Sequence, residues 1–291
     1  MIRLLILIQL FLFPISYTCQ SSSIIGADRD ILSKFWKYAS KHQLTELTIN
    51  ERIPKIAAFF IGTPYKSNTL DVTLKELPVI NLHELDCVTF VENVLALAFL
   101  EEYNDNAIPE FVANIIKLRY RNGEIIDYTS RLHYSSDWLY EMQQQHFLTD
   151  ITQFAGGILH SQIINFMSAN YARYPQLVHD STLLKKIKDI ETTINGRTYY
   201  YIPKGQIEKA CNKIKNGDII LITTNIKGLD TSHVGFAWKK DGKTFLLHAS
   251  SSGKKVMISR LPLQEYMQDI STQTGIMIGR APKVLPSASG K

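Results

Sequence analysis

Leu85-Asp86-Cys87-Val88-Thr89-Phe90-Val91-Glu92 decides the reading of this 291-residue chain. Asp86 is a helix-capping residue, and Cys87 opens the apolar run behind it. Val88, Val91, Val94, Leu95 and Ala98 recur at helical spacing, which predicts a long helix with Cys87 at its N-terminus. The positive end of a helix dipole favours a thiolate there. Far downstream, Ser232-His233-Val234-Gly235 and Leu247-His248-Ala249-Ser250 each set a histidine in a strand-like run. An imidazole can take a thiol proton, and a third group can hold that imidazole in one tautomer. The Asp241-Gly242 turn joins the two runs as a hairpin. Both histidines lie far from that turn, so antiparallel pairing brings them alongside. The candidate trio is Cys87 as nucleophile, His233 as general base and His248 as its orienting partner. Bland readings compete: a buried small cysteine, a satisfied core histidine and a polar residue at a strand end. Zinc held by Cys87, His233, His248 and Asp230 is a further competitor, though no close ligand pair such as His-x-x-Glu-His or Cys-x-x-Cys is present.

Outward from the helix, residues 28–60 read as two helices. Asp28 or Asp30 caps the first, with Ile31, Phe35, Tyr38 and Ala39 on one face. Asn50 caps the second, through Ile53, Ile56, Ala57 and Phe60. Gly62-Thr63-Pro64-Tyr65 ends it, and Val79-Ile80-Asn81-Leu82 reads as a strand. A helix over 108–120 stops at Arg121-Asn122-Gly123. The section 127–200 is irregular, with helices from Asp137 to Gln145 and near 182–190, and an Asn195-Gly196 turn before strand Tyr199–Ile202. Ile207 to Ile214 is a Lys-rich amphipathic stretch that holds Cys211. Strands follow at 219–223, 233–239, 244–249, 254–258 and 276–280. Helices first and antiparallel strands later is an α+β pattern. It predicts one domain over 21–281 with an insertion at about 127–200, and a polar, disordered tail at 282–291.

Arg3 precedes an almost unbroken apolar run from Leu4 to Ile15, then Ser16-Tyr17-Thr18-Cys19-Gln20. The run is short for a membrane span and has a basic start and a small-residue exit, so residues 1–20 read as a signal peptide. Export to the periplasm or the outside is expected, with no stable span after cleavage. An uncleaved anchor and a lipoprotein at Cys19 are the alternatives, and Tyr17-Thr18 makes a poor lipobox. Export means an oxidising compartment, where Cys87 and Cys211 could also form a disulfide. The formal charge is +5. No basic stripe or aromatic platform stands out, which argues against nucleic acid, while a mildly basic exported protein suits an anionic wall polymer. The sequence sets no oligomeric state.

Asp86-Cys87-x-x-Phe90, Gly217-Asp218-Ile219-Ile220, Ser232-His233-Val234-Gly235 and Leu247-His248-Ala249-Ser250-Ser251, with Gly62-Thr63-Pro64-Tyr65 ahead of them, resemble the NlpC-type papain-like cysteine peptidases of bacterial cell walls. Val88-Thr89 departs from their usual Ser-Gly, the gap from Tyr65 to Cys87 is long, and a large segment separates the nucleophile from the sheet. These departures resemble one branch, the N-acetylmuramoyl-L-alanine amidase-like proteins. Leu85 to Glu92, Arg131-Leu132-His133-Tyr134, Tyr201-Ile202-Pro203-Lys204 and Gly228-Leu229-Asp230-Thr231-Ser232-His233 match it.

The resemblance implies a papain-like core with N-terminal helices packed on an antiparallel sheet, plus helical insertions. It implies cleavage of the amide between muramic acid and L-Ala in peptidoglycan or anhydromuramyl-peptide fragments, without metal or organic cofactor. It carries over Cys87, His233 and His248 in the roles given above, and Tyr65 as oxyanion support beside the Cys87 N–H. Arg131, His133 and Tyr134 become candidate contacts for sugar or carboxylates, against a structural role in a loop. Asp230, Thr231 and Ser232 become candidate substrate contacts, against a polar turn. Glu92 is expected to be a buried partner for a loop and not catalytic. Two competing functions are an endopeptidase cutting the γ-D-Glu to diamino-acid bond and a non-catalytic wall-binding or effector protein.

Overall fold

The computed structural model describes residues 26–285. The expected signal peptide, Cys19 and most of the expected tail lie outside the described residues. Helices α1 (Gly26–Lys41) and α2 (Ile49–Phe59) come first, then α3 (Cys87–Ala98), α4 (Ile108–Arg119) and α5 (Ser135–Gln144). Short strands β1 (Thr149–Asp150) and β2 (Ile158–His160) precede α6 (Phe166–Ala169), α7 (Pro175–His179) and α8 (Ser181–Asn195). Strand β3 (Tyr199–Pro203), helix α9 (Ile207–Ala210) and strands β4 (Ile219–Thr224), β5 (Thr231–Lys240), β6 (Lys243–Ser250) and β7 (Lys255–Ile258) follow. Helix α10 (Leu263–Gln268) and β8 (Gln273–Arg280) close the order.

The strands form one antiparallel sheet in the order β2-β3-β8-β4-β5-β6-β7, with β1 on β8 beside β3. This is the mixed α+β architecture expected from helices followed by strands. Alternation along each strand divides the core in two. Ile219, Leu221, Val234, Phe236, Leu247 and Met277 pack under the N-terminal helices. Ile220, Ile222, Ala237, Leu246, Ile276 and Ile278 pack on the opposite face with Leu263 and Met267 of α10. A third buried cluster, including Tyr128, Tyr134, Met167 and Ile187, holds the insertion together. Among the described residues no helix is long and apolar enough to cross a membrane.

Several local expectations are corrected. Val79 to Leu82 is no strand, because Asn81 Oδ1 accepts the N–H groups of His83 and Glu84 and the Leu82 N–H donates to Asp28. Asp28 does not cap α1 but is fully buried, its carboxylate also 2.8 Å from His83 Nδ1. Thr48 rather than Asn50 caps α2, in a capping box with Glu51. The helix at Ile207 ends at Ala210, short of Cys211. Cys87 and Cys211 are both free and pack into different clusters, so they form no disulfide.

The long excursion between Tyr65 and Cys87 is held by ion pairs. Arg131 donates from Nε and Nη2 to Glu76 at 2.9 and 2.8 Å, and from Nη1 to Asp71 at 2.9 Å. Tyr120 Oη donates to Glu76 at 2.7 Å. Arg131→Ala would strand a buried carboxylate, so we expect a loss of about 3–5 kcal/mol. Thermal melts would show it as a Tm lower by roughly 10 °C; an unchanged Tm would mean the excursion folds without its anchor.

Candidate active site

The site is built at the N-terminus of α3. Asp86 Oδ1 accepts the Thr89 N–H at 2.8 Å, and the Asp86 N–H donates to Thr89 Oγ1 at 3.0 Å. This reciprocal capping box gives Thr89 a structural role at the helix start. Every residue of α3 from Thr89 to Ala98 is buried, so the helix is gripped along its length and Cys87 is fixed at its tip. Tyr65 is brought to the same place by backbone stitching. Its N–H donates to Lys254 O, while the Lys66 and Leu85 N–H groups donate to Leu85 O and Pro64 O. Position 65 thus lies beside position 85, two residues from the cysteine, despite the long excursion.

The backbone N–H groups of Val234, Cys87 and Val88 lie near the Cys87 sulfur and favour its charged form. Val234 is one peptide bond from His233, so the thiol sits against the start of β5. The pairing puts His233 opposite Ile222 but Thr231 opposite Thr223, which leaves Ser232 as an extra residue. Such a bulge re-aims neighbouring side chains next to a site. On the other side, the β5–β6 register continued by one residue sets Gly235 opposite His248. His233 and His248 therefore share a face as diagonal neighbours. His233 Nε2 lies 2.6 Å from His248 Nδ1. Tyr266 of α10 completes the cluster, its ring edge-on to His248 with centroids 5.5 Å apart. No sequence pattern pointed to Tyr266, because α10 is a short helix between strands.

Gly235 makes room for this pair. A Cβ there would lie 2.8 Å from Leu247 O and 2.9 Å from His248 Cβ. Gly235→Ala should cost about 1–3 kcal/mol by overpacking and displace His248. A melt together with an activity assay checks this; full stability and full activity would contradict it.

The electrostatics correct one expectation. Burial, with the Asp86 carboxylate adding to it, pushes the Cys87 thiol up to about 12 against the three N–H groups. Burial first, and His248 second, lowers His233 to about 3, and burial lowers His248 to about 4. Both partners of the Cys87–His233 pair are thus held neutral at rest, and the helix dipole alone does not make a thiolate. His133 is also lowered, to about 3, by burial and then by Arg131. These three imidazoles have folded-state values below the ordinary 6.5, so the unfolded chain binds more protons. Their contribution is complete above about pH 6.5 and is lost as pH falls toward 4 and 3. Tm should therefore fall as pH drops from 6.5 to 4, and less steeply in His133→Gln. A Tm flat over that window would contradict the neutral assignment.

A cavity of about 290 Å³ opens beside the thiol, flanked by Asp86, Val88 and Val234 and reaching Glu92, Arg131 and His133. Glu92, as expected, is a buried partner: its Oε2 takes Arg119 Nε at 2.8 Å and Nη2 at 2.7 Å, and Arg119 Nη1 donates to Val79 O in the excursion. Arg131 and His133 do reach the cavity wall, but the Arg131 guanidinium is engaged by Glu76 and Asp71, and His133 Nε2 donates to Tyr128 O at 2.8 Å. Tyr134 is turned away. Its buried hydroxyl donates to Glu191 at 2.7 Å and accepts the Met167 N–H, tying the insertion down. Asp230 is buried too, accepting the N–H groups of Ser136 and Thr231 at 2.6 and 2.7 Å. It caps α5 from a distance and anchors the start of β5. Thr231 is buried, and Ser232 is exposed on the bulge. Among the described residues no three His, Cys, Asp or Glu side chains gather as a metal site.

The fold is that of solved amidases. A Bacteroides uniformis N-acetylmuramoyl-L-alanine amidase superposes with a TM-score of 0.75 at 36% identity, over 80% of this chain and 99% of that one. A Bacteroides fragilis protein designated a candidate xylanase gives 0.71 at 36%, over 77% and 98%. A Legionella pneumophila protein shares the fold at 24% identity, with a TM-score of 0.66 over 89% and 96%. A comparison with curated proteins gives no match. Residues 55–276 match the AmiA-like family, described as N-acetylmuramoyl-L-alanine amidase-like, and the chain belongs to that family of amidase-like peptidoglycan hydrolases.

Proposed function

We propose that this chain is an exported cysteine amidase, of papain-like NlpC type, that hydrolyses the amide between the lactyl group of muramic acid and L-Ala. The supporting observation is the Cys87 sulfur at the tip of α3, against the N–H of Val234, with neighbouring His233 held at 2.6 Å by His248. The amidase-like family and the amidase neighbours support the substrate class. The basic residue and apolar run at 3–15 support export.

In this reading the two nitrogens of His233 have different tasks. His233 Nε2–H donates to His248 Nδ1, which leaves His233 Nδ1 to receive the Cys87 proton. Burial keeps His248 neutral, so its Nδ1 can accept when its Nε2 carries the proton. As Sγ attacks the lactyl carbonyl carbon, its proton passes to Nδ1 and negative charge develops on the carbonyl oxygen. The Cys87 N–H and the Tyr65 hydroxyl stabilise that oxygen; burial, and then Cys87 and Asp86, raise Tyr65 and keep it a donor. His233 then gives the proton to the L-Ala nitrogen, the C–N bond breaks and a thioester remains. Water, losing a proton to Nδ1, attacks the thioester carbon; the sulfur leaves and regains its proton. Because thiol and imidazole are neutral at rest, proton transfer accompanies attack.

Mass spectrometry of anhydromuramyl-tetrapeptide and intact muropeptides after incubation tests the reading. Release of a tetrapeptide with L-Ala at its N-terminus is expected. Release of L-Ala-D-Glu would instead establish the γ-D-glutamyl endopeptidase, and no cleavage of any substrate would leave a wall-binding protein.

A further inference from the structure

We propose that the free edge of the sheet, from Phe154 through β2 to Ile226, is a docking surface for an anionic phospholipid bilayer. Apolar side chains enter the interface, and Lys213, Lys227 and Arg173 meet the lipid phosphates.

The two edges of the sheet are treated differently. The β7 edge is covered: the Gly62 and Tyr65 N–H groups donate to Val256 O and Lys254 O, and the Val256 N–H donates to Thr63 O. Lys254 and Lys255 add charge there. The β2 edge has β3 on one side and, among the described residues, no strand on the other. Uncovered edges are ordinarily blunted with charge or proline. Residues 151–172 instead contain no Asp, Glu, Lys or Arg. They hold out Phe154, Ile158, Leu159 and Ile163, which are 69, 47, 63 and 72% exposed. Ile158 and Leu159 point to opposite faces of the strand, so apolar surface shows on both sides of the edge. The ridge continues onto the β4–β5 loop, because Gln162 Nε2 donates to Ile226 O at 3.0 Å and the Asn165 N–H donates to Gly228 O. Ile226 is exposed there too. A run of exposed apolar side chains of this kind marks an interaction site.

Charge indicates what covers it. Lys213 Nζ lies 5.3 Å from the Phe154 ring centroid, the Arg173 guanidinium lies 5.9 Å from that of Phe166, and Lys227 follows Ile226. Among the described residues none of these three cations pairs with a carboxylate. The Lys-rich stretch 207–216 that carries Lys213 also holds Lys209 and Lys215 against one acid, Glu208. Asp150, at the other end of the ridge, is half-buried and accepts the Thr152 N–H. Apolar side chains bordered by unpaired cations match the layering of a bilayer surface, where acyl chains lie beneath phosphates. A second copy docked patch to patch would bring like charges together. A small aqueous anion would leave the apolar ridge wet.

Hydrogen exchange of the full chain, read by mass spectrometry, tests this. Vesicles of phosphatidylglycerol mixed with phosphatidylcholine are compared with vesicles of phosphatidylcholine alone. Amides in 152–165 and 225–229 should exchange more slowly on the mixed vesicles and at the lipid-free rate on the neutral ones. The protection should fade as salt screens the surface. The readout is local, so vesicle binding by the apolar run at 4–15 does not count toward it. Two double variants of exposed side chains separate the contributions. Leu159→Ser with Ile163→Ser, and Lys213→Glu with Lys227→Glu, should each raise the lipid concentration for half-maximal protection by about tenfold or more, with melts unchanged. Unchanged exchange at both segments, or protection that both variants retain, would overturn the proposal. Equal protection on neutral vesicles would overturn it too, by showing apolar adhesion without the cations. So would protection without lipid that grows with protein concentration, which would assign the edge to a second copy.

Discussion

Cys87→Ala is expected to lower peptide release from muramoyl-tetrapeptide by roughly 10⁴-fold or more, with an unchanged melt. The size follows from the proposed mechanism. Without the sulfur no thioester forms, and only binding and the oxyanion donors remain to assist water. The fold should not suffer, because Cys87 is a small, half-buried residue at a helix tip whose cap, Asp86 with Thr89, stays intact. Mass spectrometry of the products against time measures the rate. A rate within tenfold of wild type would remove Cys87 from the chemistry and turn attention to a water-directed mechanism. The neutral resting thiol adds a second expectation. With its value raised to about 12, alkylation of Cys87 by iodoacetamide should climb with pH through 9 and not level off below 7.

His233→Ala is expected to cost about 10³–10⁴-fold in kcat with little change in KM. In the proposed mechanism His233 accepts the thiol proton and returns it to the leaving nitrogen, so both halves of the reaction would lose it. His248→Ala should cost less, on the order of 10²-fold, because His248 acts only through the tautomer and orientation of His233. The double variant should be no slower than His233→Ala, since an orienting partner is idle once the group it orients is gone. Steady-state kinetics on the four proteins read this directly. Multiplicative losses in the double variant would show that His248 has a separate role, for which the contact with Tyr266 would be the place to look.

The legible part of this site was local. A helix start carries its cap, its apolar period and its first residue within a dozen positions, so Cys87 at the tip of α3 could be read from Asp86 to Ala98. The hairpin was equally local: the turn at Asp241-Gly242 sets His248 opposite Gly235, two residues from His233 on the same face, and the two imidazoles meet at 2.6 Å. Tyr134 and Asp230, candidate substrate contacts by resemblance, have structural partners instead. Their partners, Glu191 and Ser136, are remote in sequence, so no pattern announced that they tie the insertion and the start of β5 to the scaffold. Arg131 reached the cavity wall but spends its donors on Glu76 and Asp71, in an excursion whose composition reads only as a loop.

By itself the sequence determined the α+β class, the helix that presents Cys87 and the hairpin that pairs His233 with His248, because each depends on hydrophobic period and turn chemistry between near neighbours. Only the tertiary structure decided that thiol and imidazole rest neutral, that Tyr65 and Tyr266 lie near them, and that Arg131 at the cavity wall is held by Glu76 and Asp71. Burial and charge pairing arise where segments far apart in the chain meet, and no local pattern encodes them.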